Sequence, residues 1–311
     1  MGGIAVFLNP HAGGNVEDSE RAERLRRIVG DQGAVFETQD LDQLREGIAR
    51  ALEARPEILA LCGGDGSYFR AFTAIESLVG DAPWPEILPL PAGTINNLAH
   101  AVQSMALSPE RLLSRVVFDH ARGIAHAKAE VDLFRVGEHD VGYIFGAGMI
   151  VNFLRAYYAT ERPSPVSAAR LIGRLIGSAM VRGPLQAKIF QPFEADVICD
   201  GERVPHRAFR MLIASSVRAI GLGFEPFYLA GRHPGHFHVL GGPARASRLI
   251  RRLPRFRKGF PANDPQLYDN LVGEMRVEFA RPAWYTVNGD LLGPVTRIEL
   301  RRLRRITVVR G

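Results

Sequence analysis

The sequence predicts an α/β domain with a parallel sheet, followed by a β-rich, sandwich-like domain. Three observations lead there. The first third alternates short apolar runs with amphipathic helical patterns, glycine-bearing loops follow three of those runs, and beyond about Lys128 short strands dominate. A chain of 311 residues is long enough for about two cores. The expected domains are residues 1–127, completed by 291–311, and residues 128–290.

The first run, Ile4 to Leu8, is short and apolar, as in a buried strand. Ala22, Leu25, Ile28 and Val29 then recur at helical spacing up to Gly30. "AVFET" reads as a second strand, and Leu41, Leu44, Ile48, Ala51 and Leu52 as a helix ended by Pro56. "ILALC" is a third strand, followed by a helix carrying Phe69, Phe72, Ile75 and Val79. "EILPL" is the fourth, with a helix from about Thr94.

Loops follow the first, third and fourth strands: Asn9 to Gly14, Gly63 to Ser67, and Pro91 to Asn97. In a parallel sheet all three open on the carboxyl rim, where ligands bind. A glycine between strand and helix lets backbone N–H groups approach an anion, and the helix dipole favours negative charge there. None of the loops ends in Gly-Lys-Ser/Thr or fits Gly-x-Gly-x-x-Gly. Backbone amides, arginine or a metal must therefore meet any phosphate charge. An ordinary turn is the alternative for each loop taken singly.

Together "NPHAGG", "CGGDGS" and "LPAGTINNLA" resemble the catalytic domain of the diacylglycerol kinase and sphingosine kinase superfamily, in order and in spacing. NAD kinases share the Gly-Gly-Asp-Gly element more distantly. "AEVDLFRV", "YIFGAGM" and "WYTVNGD" continue the likeness more loosely. The resemblance implies a two-domain kinase with its active site between the domains, using ATP and magnesium. It implies that Asn9, Gly13, Gly64, Gly66, Ser67, Gly93, Thr94 and Asn96 surround the nucleotide, that Asp65 and Asp132 serve the metal, and that Asp290 is the general base on a lipid hydroxyl. The final segment is implied to return to the first domain. For Asp132 a structural ion pair is an equal alternative.

Four positions depart from the family pattern. Ser67 replaces threonine and keeps the hydroxyl. Asn97 stands where the pattern has aspartate, and Asn288-Gly289-Asp290 stands for Asp-Gly-Glu. Asp290 therefore reaches about 1.5 Å less far than glutamate. Loss of two carboxylates weakens the attraction for a divalent cation. The expected reaction is phosphorylation of a lipid hydroxyl, with diacylglycerol as the default acceptor. A catalytically silent protein binding nucleotide or lipid, and an NAD-kinase-like enzyme, remain open as alternatives.

In the second half "EVDLFRV", "GYIFGAG", "QAKIF", "ADVICD", "AFRMLIASS", "HFHVL", "EMRVEF" and "AWYTVN" read as strands. Val166 to Val181 reads as a helix, with Arg170 and Arg174 on one face and Leu171, Leu175 and Met180 largely elsewhere. His233, His236 and His238 invite a zinc site but lack an accompanying cysteine or acidic pair. Cys62 and Cys199 suit a reducing compartment as buried hydrophobes.

Net charge is +6, and all but three of the basic residues are arginine. Arg245 to Phe260 mixes arginine with leucine and phenylalanine, which suits an anionic membrane surface as well as a solvated face. No aromatic-basic platform for nucleic acid is evident. The N-terminus has neither the basic region nor the apolar run of a secretory signal. The expected setting is cytoplasmic and peripheral to the inner membrane face, with a homodimer compatible.

Overall fold

A computed structural model of the chain describes residues 3–104, 107–160, 164–181, 183–221 and 223–310. The chain divides into two compact units, Met1–Val131 with Arg305–Gly311, and Asp132–Arg304. Only the last seven residues, not all of 291–311, belong with the first unit.

The first unit begins with β1 (Ile4–Leu8), α1 (Gly13–Val16), α2 (Arg21–Val29), β2 (Gly33–Glu37) and α3 (Leu41–Glu53). It continues through β3 (Ile58–Gly63), α4 (Asp65–Val79), β4 (Glu86–Pro91), α5 (Asn97–Ala101) and α6 (Pro109–Ala121). The strands run parallel in the order β2-β1-β3-β4, as the alternation predicts. Ile4, Val6 and Leu8 share a core with Leu25, Val29, Leu112 and Leu113, so α2 and α6 cover one face. Phe7 points to the other face, where it stacks on Phe36. There a Cβ on Gly47 of α3 would come within 3.2 Å of its ring. Helices on both faces explain why these strands are continuously apolar.

The chain leaves this unit along β5 (Lys128–Val136) and returns on β15 (Asp290–Val309), whose Val308 pairs in parallel with Ile87. Between them come β6 (Asp140–Gly142), β7 (Ile144–Gly148), α7 (Met149–Tyr158), α8 (Pro165–Met180) and α9 (Pro184–Ile189). Then follow β8 (Phe193–Cys199), β9 (Glu202–Arg203), β10 (Ala208–Phe209), β11 (Met211–Ser215), β12 (Phe237–Gly242), α10 (Ala246–Arg257), β13 (Tyr268–Val272) and β14 (Glu274–Val287). Within the second unit β13-β12-β11-β7-β14-β15 is antiparallel throughout.

"QAKIF" is helical rather than extended. Gly183 and Pro184 start α9 at this point, and Ile189 and Phe190 anchor its end in the core. "EMRVEF" and "AWYTVN" are one long strand, β14. Its register shifts between Glu278 and Tyr285 let its first half pair with β8 and its end with β7. α8 buries Ala168, Leu171 and Leu175, while Val166, Arg170 and Arg174 face solvent; the side chain of Met180 lies outside the described ones. Among the described residues no helix is long and apolar enough to cross a membrane.

Candidate functional site

The three glycine loops meet in the first unit. Gly14 N–H donates to Ala92 O at 2.8 Å and Ala92 N–H to Gly63 O at 2.9 Å, lacing the first loop to the third and the third to the end of β3. Asn9 Nδ2 donates to Ser67 Oγ at 2.9 Å, and Asn9 Oδ1 accepts from His11 N–H at 2.9 Å. Gly13 opens α1 beside Thr94: a Cβ on it would lie 3.6 Å from Thr94 Oγ1.

Glycine is required where two loops touch. A Cβ on Gly93 would lie 2.4 Å from Gly64 Cα, and one on Gly64 would lie 2.9 Å from Gly93 Cα. Asn96 holds the second partner in place. It sits in the left-handed region at φ 56°, which asparagine tolerates, and exchanges hydrogen bonds with Gly93 N–H and O at 2.8 and 2.7 Å. Behind Gly64 the fifteen-residue α4 begins, with Gly66 and Ser67 in its first turn. Its first-turn amides carry the positive end of the helix dipole to the point where the loops converge.

Asp65 is buried, and its carboxylate accepts from the start of α5: from the backbone N–H of Asn97 at 3.0 Å and of Leu98 at 3.3 Å, and from the side-chain Nδ2 of Asn97 at 3.2 Å. It thus ties the start of α5 to the start of α4. Asn97 Oδ1 is buried with no hydrogen-bond partner. The hydroxyl of Tyr68, one turn on, is fully buried; desolvation, then the charge of Asp65, push its pKa well above the ordinary value.

Sequence reasoning passed over Asn15. Its Nδ2 donates to Asn9 O at 2.7 Å and Cys62 O at 3.2 Å, while its Oδ1 accepts from Arg21 at 2.7 Å. An asparagine directly after Gly13-Gly14 was the available signal. Cys62 itself is inert, its thiol pushed up to about 12 chiefly by burial.

Asp132 and Asp290 lie in the second unit, whereas Asp65 and the three loops lie in the first. Asp132 is buried on β5, and its carbonyl accepts from Ser216 Oγ at 2.5 Å. Asp290 opens β15 after the Asn288-Gly289 turn, both of whose residues have positive φ. Asn288 Oδ1 accepts from Tyr143 N–H at 3.0 Å and Ile144 N–H at 2.9 Å, so the amide does structural work an aspartate there could also do. Its Nδ2 is buried without a partner. Tyr158 on α7 donates to Gly289 O at 3.0 Å and steadies the same turn.

Residues 3–129 match the family model described as the diacylglycerol kinase catalytic domain, and this stretch contains all three loops. That stretch is similar to the diacylglycerol kinase catalytic domain and covers most of the first unit. The kinase-like fold extends over the whole chain. A diacylglycerol kinase structure from Bacillus anthracis strain Sterne superposes with a TM-score of 0.66 at 12% identity, covering 99% of this chain and 97% of that one. Another from the same strain, provisionally described as a diacylglycerol kinase, gives 0.70 at 13% identity with the same coverage. At such identities the likeness is one of fold. No curated protein sequence matches the chain.

The Gly64–Gly93 contact, which a Cβ on either residue would break, holds the third loop against the amide end of α4, an end that favours an anion. The donor set for magnesium is sparse. Asp65 already accepts three hydrogen bonds, Asn97 offers only a neutral oxygen, and no group of three His, Cys, Asp or Glu side chains is arranged for a metal among the described residues. A magnesium ion here would take most of its ligands from phosphate and water. Of the three histidines, His238 stands apart, wholly buried with Nε2 2.7 Å from Asp269 Oδ1, while the rings of His233 and His236 meet edge to face and His236 turns to Pro234 O.

Proposed function

We propose that this protein transfers the terminal phosphoryl group of ATP to the hydroxyl of a lipid, with diacylglycerol as the first acceptor to try. The observation that supports this best is the meeting of three glycine loops at the start of α4, in a stretch that matches a lipid-kinase catalytic domain. Phosphoryl transfer needs positioning and charge neutralisation more than covalent help from the protein. In this reading the amides of Gly64, Gly66 and Ser67 hold the phosphates, Asn9 fixes Ser67, and Asn96 fixes Gly93. Asp65 acts as a positioning residue by holding α5 on α4. Bound magnesium would offset phosphate charge. The lipid hydroxyl oxygen forms the new bond to phosphorus, the bond to ADP breaks, and Asp290 accepts the hydroxyl proton.

A second reading, a silent protein that binds nucleotide, is favoured by one observation. Asn97 and Asn288 each leave a buried polar atom unpartnered where the family pattern has carboxylates.

Labelled ATP with magnesium over mixed micelles of diacylglycerol, monoacylglycerol, ceramide and sphingosine separates the readings. A labelled lipid is expected, lost in Asp65→Asn and lowered in turnover more than in nucleotide affinity in Asp290→Ala. No product from any lipid, with nucleotide binding intact, would leave the silent reading.

A further inference from the structure

Four helices of the second unit, α7 to α10, contain no aspartate or glutamate. They carry nine cations: Arg155 on α7, Arg170 and Arg174 on α8, Lys188 on α9, and Arg248, Arg251, Arg252, Arg255 and Arg257 on α10. The helices form one layer, α8 packing against α7, α9 and α10. Leu175, Ile189, Leu249 and Phe256 turn inward onto Met211, Ile213 and Leu240 of β11 and β12, so the charged sides turn outward.

Some of these cations have neighbours as partners and some do not. Arg248 and Arg252 share Asp264, and Arg255 donates to Pro261 O. Among the described residues no carboxylate pairs with Arg170, Arg174, Lys188, Arg251 or Arg257. On the strand side of this unit several arginines are paired. There Arg203 and Arg207 meet Asp196, Arg276 meets Glu278, and Arg297 and Arg301 meet Glu299.

Exposed apolar groups gather on the same helices. Every large hydrophobic side chain described as exposed in this unit lies on or beside them: Tyr158, Val166, Val181, Phe260 and Trp284. Trp284 lies beneath the guanidinium of Arg155, 4.8 Å from its ring centre, and Tyr158 is one turn along the same helix. Tryptophan, tyrosine and arginine together suit the boundary between headgroups and acyl chains. Exposed valines offer nothing to a phosphodiester backbone but gain by leaving water for lipid.

We infer that the outer face of α7 to α10 docks on an anionic lipid bilayer. The inference deepens the lipid-kinase reading and rests on it for its purpose, while its test needs neither nucleotide nor acceptor. Each cation near such a surface is worth about 1 kcal/mol, roughly fivefold in partitioning.

The test is cosedimentation of the full chain with phosphatidylglycerol-rich vesicles and with pure phosphatidylcholine vesicles, neither containing diacylglycerol. Binding to the anionic vesicles alone is expected, weakening with salt. Arg170→Glu with Arg174→Glu should lower it at least about tenfold. Arg170→Gln with Arg174→Gln, a milder change, should lower it less, with an unaltered melting temperature. Arg203→Glu with Arg207→Glu, an equal charge change on the strand side, should leave it intact. The inference is overturned by equal binding to both vesicles, by no binding, by an equal loss in the strand-side variant, or by binding of single-stranded RNA in place of vesicles. Vesicle binding without phosphoryl transfer would remove the kinase reading alone, and transfer to micelles without vesicle binding would remove the docking surface alone.

Discussion

At the scale of single residues, the exchange of one atom at position 97 changes what the site can hold. Asn97 Nδ2 donates to Asp65 Oδ2 at 3.2 Å. An aspartate in its place would set two carboxylates against each other, which raises the pKa of one. A carboxyl whose folded pKa lies above its unfolded value destabilises the protein as pH rises past the unfolded value. Asn97→Asp should therefore be about 1–3 kcal/mol less stable than wild type at pH 7 and close to it near pH 4. Millimolar magnesium should restore the loss at pH 7. Melting curves with and without the ion decide it: an unchanged midpoint at pH 7 would mean that residue 97 does not sense Asp65. The change from carboxylate to amide was legible from the motif. Which group the amide meets was not, because Asp65 and Asn97 stand 32 positions apart and only the fold makes them neighbours.

Between elements, an ionic link joins α2 to α6. Arg21 Nε donates to Glu110 Oε1 at 2.9 Å and Arg24 to the same oxygen at 3.1 Å, while Arg21 also holds Gly14 O and Asn15 of the first loop. Desolvation by itself would raise the Glu110 pKa. The hydrogen bonds from Arg21, from its own backbone amide and from Arg24 outweigh it and hold the carboxyl at about 2. Because the folded value lies below the unfolded one of 4.5, the stabilisation is full above pH 4.5 and is lost as pH falls towards 2. It amounts to at most about 3 kcal/mol. Denaturant titrations at pH 6 and pH 3 should show Glu110→Gln losing less stability on acidification than wild type; parallel losses would discharge Glu110. α6 and α7 escaped the sequence reading although Ser108-Pro109 is a strong helix start. "QAKIF" was misassigned because five residues of mixed polarity suit either periodicity, and packing on β11 and β12 decided between them.

For the whole molecule, the chain's last residues complete the first unit. Ile306, Val308 and Val309 are almost wholly buried, and Val309 joins the core of β1, β3 and β4. Each such side chain contributes about 1.5–3 kcal/mol, against about 5–15 kcal/mol for a typical domain. A chain ending at Arg304 should have a first unit open to proteolysis between residues 3 and 129, while the second unit stays resistant. Equal resistance of both would show that the terminal strand is dispensable.

The sequence by itself determined the parallel α/β unit, the positions of its glycine loops and their likeness to a kinase catalytic domain. Those features are written in local patterns: apolar periodicity, and glycines at strand-to-helix junctions. Only the tertiary structure decided that Gly64 and Gly93 touch, that Asp65 supports α5, and that β14 spans two predicted strands. It also gathered the acid-free helices α7 to α10 into one face. These are contacts between residues far apart in the chain, and no local pattern carries them because their energy exists only once the sheet has brought the segments together.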